Sequence, residues 1–146
     1  MEETKAIGQK GKIAKEVAEN EFNDWCEANM IDTDASDMNE DDEKAFYGLK
    51  KTIVNAVRDG RIVFDGRDIK YTISKCTPEL AGQEVTIPPA KGAVYLALDG
   101  FKKGQDIKRL HAALSQMTGL ADGVFRKMDA ADFKVFQAVF SLFLAD

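Results

Sequence analysis

The C-terminal stretch from Met128 to Leu144, MDAADFKVFQAVFSLFL, constrains the fold more than any other part of the chain. It opens with a helix-start pattern, in which Asp129 is the predicted N-cap and Asp132 stands at the third helical position, as in a capping box. At about 100° per residue, its apolar side chains cover an arc of roughly 200°, more than one packed face requires. This helix must be central to the core or be covered by another chain. The residues predicted to form such a partner or oligomer surface are Phe133, Phe136, Val139, Phe140 and Phe143.

The overall composition fits one domain or two small lobes. Of the 146 residues, 45% are hydrophobic and 31% are charged, which are ordinary values for a globular protein. The net charge of −5 argues against binding nucleic acid by neutralising phosphates over a broad face. We find neither a signal-peptide pattern nor an apolar run of membrane-spanning length, so we expect a cytoplasmic protein without a membrane partner. The two cysteines, Cys26 and Cys76, are expected to be reduced thiols.

Two helices are predicted in the first part of the chain. Residues 1–11 offer nothing to pack and are predicted to be a flexible N-terminus. Apolar residues at helical spacing then predict one helix from about Lys12 to Met30 and another from about Glu40 to Arg58. Helices joined by a short loop are typical of an antiparallel hairpin, so residues 12–60 are predicted to form a helical hairpin lobe. Lysines around the first helix leave DNA binding open as an alternative, although the second helix begins with acids.

The loop between these helices, IDTDASDMNEDDE, is the most charged stretch in the chain. Asp37 stands where the sharp turn of a calcium-binding EF-hand loop needs glycine. The simpler interpretation is that acids gather at the N-terminus of the second helix, with Asn39 or Asp37 as its cap. We therefore predict no metal cofactor and no calcium binding tighter than about millimolar. The only calcium candidates are oxygen ligands at EF-hand spacing, namely Asp32, Asp34, Ser36 and Glu43.

After Gly60 the spacing of hydrophobic residues changes from a helical period to alternation. The segments RIVF and DIKYTIS, joined by Asp65-Gly66, predict a β-hairpin, and EVTIP predicts a third strand that Pro88-Pro89 ends. Further helices are predicted after Pro89, over residues 106–118, briefly through Val124, and at the C-terminus. The predicted fold class is α+β. It comprises an N-terminal helical hairpin and, over residues 61–146, a small three-stranded antiparallel sheet packed by three to four helices.

No motif in the sequence singles out catalytic chemistry. The one histidine, His111, lies inside a predicted helix and has no cysteine, histidine or clustered acids near it in the sequence. Neither a phosphate-binding loop nor a dinucleotide-binding fingerprint is present. We therefore predict a non-enzymatic protein with no catalytic residues and no cofactor.

The part of the chain from Arg61 to Leu144 resembles the small tail assembly chaperones of long-tailed bacteriophages. The matching pieces follow one another in order along the sequence. The most specific piece is a Met-Thr-Gly followed, after a short gap, by Asp-x-x-Asp-Phe and an apolar helix. The helical lobe before Gly60 lies outside the matched part. The pieces are RIVFDGRDIKYTIS, EVTIPP, Asp99-Gly100-Phe101, Met117-Thr118-Gly119-Leu120 and MDAADFKVFQAVFSLFL.

This resemblance implies a non-enzymatic chaperone that works in the cytoplasm of a bacterial host cell. Such a chaperone would bind the apolar, helical tape-measure protein during tail morphogenesis. The resemblance also implies self-association into a homo-oligomer, with the tail-tube protein as a further candidate partner and no nucleic acid or membrane involved. Two other classes stay open from the residues alone, a calcium-responsive helical interaction module and a prophage DNA-binding regulator.

Overall fold

Six α-helices and a three-stranded antiparallel sheet make up the described part of the protein, and the α+β prediction is confirmed. The computed structural model describes residues 13–99 and 106–144. The predicted flexible N-terminus, residues 1–11, lies outside these ranges. Within them, no helix combines the length and hydrophobicity that crossing a bilayer requires.

The N-terminal hairpin consists of α1 (Lys15–Ala28) and α2 (Glu40–Arg58), joined by a loop that contains a 3-10 turn (Ala35–Asp37). Helix α2 has the predicted bounds because Asn39 caps it, its side chain accepting a hydrogen bond from the Asp42 N–H at 2.8 Å. Helix α1 is shorter than predicted at both ends. At its start, the Ile13 N–H donates to the Arg58 carbonyl at 3.0 Å, and this pairing keeps the entering chain extended.

The sheet follows directly and has the strand order β1-β2-β3. Strands β1 (Ile62–Asp65) and β2 (Asp68–Thr72) form the predicted hairpin, in which Gly66 has the positive φ of 62° that the tight turn requires. Strand β3 (Glu84–Ile87) pairs with β2 so that Ile69 lies opposite Ile87. One face of the sheet is buried, and its side chains are Ile62, Ile69, Tyr71, Val85 and Ile87.

Four helices follow the sheet. They are α3 (Gly92–Asp99), α4 (Asp106–Thr118), α5 (Asp122–Lys127) and α6 (Ala130–Leu144). Pro89 precedes α3 by three residues, so it ends the strand segment without entering the helix. Gly119, with a φ of 76°, follows the last residue of α4 as predicted.

Helix α6 lies at the centre of the core. Its Phe136 ring meets Tyr71 of the sheet at 5.1 Å and Phe125 of α5 at 5.4 Å, both edge-on. At its C-terminal end, Phe143 meets Trp25 of α1 edge-on at 5.5 Å. The helical hairpin therefore shares one core with the rest of the protein. The predicted boundary at residue 60 marks the point where α2 ends and the sheet begins, within that shared core.

Candidate functional site

Three of the five residues predicted to form an apolar surface on α6 are buried inside the protein, which corrects the sequence-based assignment for those three. Phe136 and Val139 are completely buried, and Phe140 is 8% exposed. Phe133 is half-buried with its ring stacked on His111 at 5.1 Å. The apolar arc of α6 is wider than one neighbour could cover, and α2, the sheet and α5 cover it together. Of the five predicted residues, only Phe143 reaches an open groove.

The candidate calcium residues serve the local fold of the loop. The Asp32 carboxylate accepts a hydrogen bond from the Asp34 N–H at 2.8 Å. The Asp34 carboxylate in turn accepts from the N–H and the hydroxyl of Ser36, at 2.9 and 2.6 Å, and these bonds lower the pKa of Asp34. Glu43 is half-buried in the first turn of α2. Among the described residues, no group of three or more Asp, Glu, His or Cys side chains could hold a metal ion. The absence of tight calcium binding stays a prediction.

The acidic loop and the end of α6 enclose a groove of about 760 Å³. The loop after α1 and the first half of α2, which follows it directly, form one side of the groove, and the last turn of α6 forms the other. Its floor is apolar, and its side chains are Ile31, Met38, Phe46, Leu49, Leu142 and Phe143. The described residues that line the groove include three acids and no cation, and the acids are Asp32, Asp37 and Asp42. The groove therefore has an apolar floor and a negatively charged rim.

Met30 stands at the edge of this groove in an unusual conformation. Its φ is 58°, and it is the only described non-glycine residue with a positive φ. It terminates α1, since the Ile31 N–H donates to the Cys26 carbonyl at 2.8 Å, the bond that marks a Schellman motif. Glycine is the usual residue at such a position because a β-carbon is strained there. The Met30 side chain is nevertheless 94% exposed, so packing within the chain does not offset the strain.

A second polar site, buried between the sheet and α6, is centred on Asp132. The side chain is completely buried, and each carboxylate oxygen accepts two hydrogen bonds. Oδ1 accepts from the Tyr71 hydroxyl and from the Ser74 N–H at 2.9 Å. Oδ2 accepts from the hydroxyls of Ser74 and Thr77, at 2.9 and 2.7 Å. All four hydrogen bonds of this carboxylate are made within the chain. Asp132 therefore has a structural role, in which it connects the sheet and the loop after it to α6.

The predicted capping box at the start of α6 is therefore wrong in its second half. Asp129 does cap the helix, its side chain accepting from the Ala131 N–H at 2.9 Å. The N–H of Asp129, which a capping-box side chain would satisfy, donates instead to the Thr77 hydroxyl oxygen at 2.8 Å. Thr77 thus bridges Asp129 and Asp132. Burial would raise the pKa of Asp132, but the hydrogen bonds from Tyr71, Thr77 and Ser74 outweigh it and hold that pKa below its usual value.

The structure also gives His111 an acidic neighbour that the sequence did not suggest. Its Nδ1 lies 3.3 Å from a carboxylate oxygen of Asp122, which begins α5. The same Asp122 pairs with Arg126 at 2.8 Å. The contact between His111 and Asp122 connects α4 to α5, whereas the Asp122–Arg126 pair lies within α5.

Comparison with protein-family models, curated proteins and solved structures finds no match to this chain.

Proposed function

We propose that this chain is a non-enzymatic bacteriophage tail assembly chaperone that holds a helical segment of the tape-measure protein in the groove beside the acidic loop. The observation that carries the proposal is the open groove with an apolar floor and an acidic rim. The order of short motifs over residues 61–144 supports it independently, because it resembles that family in the part of the chain outside the hairpin.

The groove favours an amphipathic helix as its ligand. Helix-in-groove binding uses apolar anchors at positions i, i+3, i+4 and i+7, which here would lie on Phe46, Leu49 and Phe143. The acidic rim at Asp37 and Asp42 adds electrostatic selection for a segment that carries lysine or arginine beside those anchors. The proposed ligand is therefore a basic amphipathic segment of the tape-measure protein.

Met30 supports a binding role for the groove edge. Backbone strain combined with an exposed apolar side chain is unfavourable for the isolated chain, and such strain is concentrated at ligand-binding sites. Methionine also adapts its flexible side chain to varied apolar partners. Met30 would then close over the bound helix from the loop side.

Co-expression tests the proposal. The tape-measure protein encoded by the same phage or prophage is expected to stay soluble with the wild-type chain and to precipitate without it. The groove variant Met30→Gly combined with Asp37→Lys should lose most of this effect while remaining folded, because both residues are exposed. The matched control, Leu96→Asn with Glu84→Lys, changes one exposed apolar residue and one exposed acid away from the groove and should retain it.

Two outcomes would contradict the proposal. If the tape-measure protein is equally insoluble with and without the wild-type chain, the chaperone function is wrong. If the groove variant protects as well as the wild type, the groove is not the binding site. Substitutions at Phe136 or Phe140 do not provide this test, because both side chains are buried and their loss would lower the stability of the whole fold as well.

A further inference from the structure

A shallow depression of about 470 Å³ lies between α1 and α2, beside the start of α1 and the second half of α2. The groove lies at the other end of the helical hairpin, where the loop joins the two helices. Neither the fold nor the proposed function accounts for the depression. Its described lining residues include four cations and one acid, in a chain with a net charge of −5, and they are Lys15, Lys50, Lys51, Arg58 and Glu19.

One of the four cations is already paired within the chain. The Lys50 ammonium lies 3.8 Å from the Glu19 carboxylate, and this contact occupies the one acid of the described lining. No ion-pair partner for Lys15, Lys51 or Arg58 lies among the described residues. Three positive charges therefore surround the depression with no negative charge of this part of the chain to balance them.

The Arg58 side chain is held in place by the backbone. Its Nε donates a hydrogen bond to the Ile13 carbonyl at 3.0 Å, and the Ile13 N–H donates to the Arg58 carbonyl at 3.0 Å. No described residue accepts a hydrogen bond from the two terminal nitrogens of Arg58. A guanidinium whose orientation is already fixed loses little conformational freedom when it binds a carboxylate or a phosphate. Arg58 is therefore preorganised to bind an anion.

The spacing of Lys51 and Arg58 matches that of charges on a second helix. They are seven residues apart on α2, which places them about 20° apart around the helix and about 10.5 Å apart along it. Carboxylates at positions i and i+7 of another helix have the same separation, so a helix packed alongside α2 brings one to each cation. The Tyr47 ring, one turn before Lys51 and 49% exposed, provides apolar surface for such a helix.

We infer that this depression binds an acidic helical segment of a partner protein, whose carboxylates at i and i+7 pair with Lys51 and Arg58. Lys15, at the start of α1, adds a third positive charge beside them. The complementary charge selects the partner and orients it along α2.

A strand of nucleic acid fits this surface less well than an acidic helix. A phosphate backbone carries a negative charge at every nucleotide, so it would continue past the depression along the hairpin. Helix α1 contains five acids and one lysine, and these acids would repel it. A protein helix can place its carboxylates at two positions and remain neutral elsewhere.

Titration of synthetic peptides into the full-length chain tests this inference. The probe is an alanine-based helical peptide of about 20 residues with glutamates at i and i+7. It should bind with a dissociation constant below about 1 mM, and the constant should rise as salt increases from about 0.05 to about 0.5 M. A peptide of the same composition with glutamates at i and i+5, on different sides of the helix, should bind about fivefold more weakly or less.

Charge reversal then places the peptide on the protein. Lys15→Glu with Lys51→Glu changes two exposed residues and should raise the dissociation constant by about tenfold or more. The matched control, Lys75→Glu with Lys134→Glu, makes the same change in net charge at exposed positions outside the hairpin and should leave the constant within about twofold. Circular dichroism confirms that each variant is folded.

The inference does not rest on the proposed function, and the groove variant separates the two. Met30→Gly with Asp37→Lys should bind the acidic peptide as tightly as the wild type, because both substitutions lie at the other end of the hairpin. Failure of the tape-measure protein to bind the groove would leave this result unchanged.

The inference is overturned if the acidic peptide does not bind at about millimolar concentration and low salt. Equal binding by the charge-reversed variant and its control, or equal binding of the two peptides, also overturns it. Single-stranded oligodeoxythymidylate and tripolyphosphate are the remaining probes. If either binds more tightly than the peptide and loses that binding in Lys15→Glu with Lys51→Glu, the depression is a phosphate site and the assignment to a protein partner is wrong.

Discussion

The Asp132 carboxylate joins segments that are far apart along the chain. Its partners Tyr71, Ser74 and Thr77 lie at the end of β2 and in the loop after it, 55 to 61 residues away. Arg61 extends the network by donating to the Tyr71 hydroxyl at 3.1 Å. Because every carboxylate bond is made inside the protein, removing the charge leaves several donors unsatisfied at once.

We expect Asp132→Asn to lower the free energy of unfolding by about 2–4 kcal/mol at neutral pH. Tyr71→Phe removes the hydroxyl that donates to Asp132 and accepts from Arg61, but leaves the three other donors to the carboxylate in place, so it should lower the free energy of unfolding by only about 1–2 kcal/mol. The pKa of Asp132 is lower in the folded than in the unfolded state. Its contribution to the free energy of unfolding is therefore fully present above the unfolded pKa of about 3.9, and it is lost as the pH falls through the folded pKa. Denaturant unfolding at several pH values measures this. If the difference in free energy of unfolding between the wild type and Asp132→Asn stays constant down to about pH 2, this prediction is wrong.

Met30 is expected to reduce stability. Replacing it with glycine relieves the strain of a positive φ, so Met30→Gly should raise the free energy of unfolding by about 1 kcal/mol. The exposed side chain contributes little packing that could be lost. Urea unfolding followed by circular dichroism is the measurement. Asn29→Gly, one residue earlier at a φ of −103°, should instead lower stability, because glycine relieves no strain there and the side-chain hydrogen bonds of Asn29 to Trp25 and Arg67 are lost.

Among the elements, α6 is the one on which the fold depends. Phe136→Ala should lower the free energy of unfolding by about 3–5 kcal/mol, because a completely buried ring contacts the sheet and α5. Lys134→Ala, on the exposed side of the same helix, should change it by less than about 0.5 kcal/mol.

The two cysteines provide a convenient readout for these α6 variants. Cys76 is exposed and should react with a thiol reagent in the folded protein. Cys26 is buried, and burial raises the pKa of its thiol to about 12, so it should react only after opening of the core. Faster labelling of Cys26 in Phe136→Ala than in Lys134→Ala is the expected result. Equal labelling rates would show that Phe136 is not part of the cooperative core.

The positions of the elements were predictable because local signals set them. Asn39 caps α2, the Asp65-Gly66 turn joins β1 to β2, and Gly119 follows α4, each within a few residues of the pattern that indicates it. The role of Asp132 was not predictable, because its partners come from a loop more than 50 residues away. From the sequence alone, a carboxylate at the third helical position could either complete a capping box or be buried and accept hydrogen bonds from another part of the chain.

The groove could not be predicted for the same reason. It forms only when Phe143, at the end of α6, lies beside the loop that contains Asp32 and Asp37, more than 100 residues earlier. The burial of α6 is not predictable from periodicity, which gives the width of an apolar arc and not the number of elements that cover it. The acids of the loop are evident in the sequence, but the apolar residues that lie beside them come from α2 and α6.

In the whole molecule, the helical hairpin and α6 build the groove together. The loop after α1, the first half of α2 and the last turn of α6 line it, so the groove forms only when the two ends of the chain pack into one core.

Calorimetric titration of tape-measure segments into this chain tests the central claim most directly. Peptides that carry an amphipathic helix with apolar anchors and adjacent lysine or arginine should bind, and acidic helical peptides of equal hydrophobicity should not. Affinity for the basic peptides should fall by about tenfold or more in Met30→Gly with Asp37→Lys. It should remain at the wild-type value in Leu96→Asn with Glu84→Lys. If no tape-measure segment binds, or if the groove variant binds as tightly as the wild type, the account of the groove is contradicted.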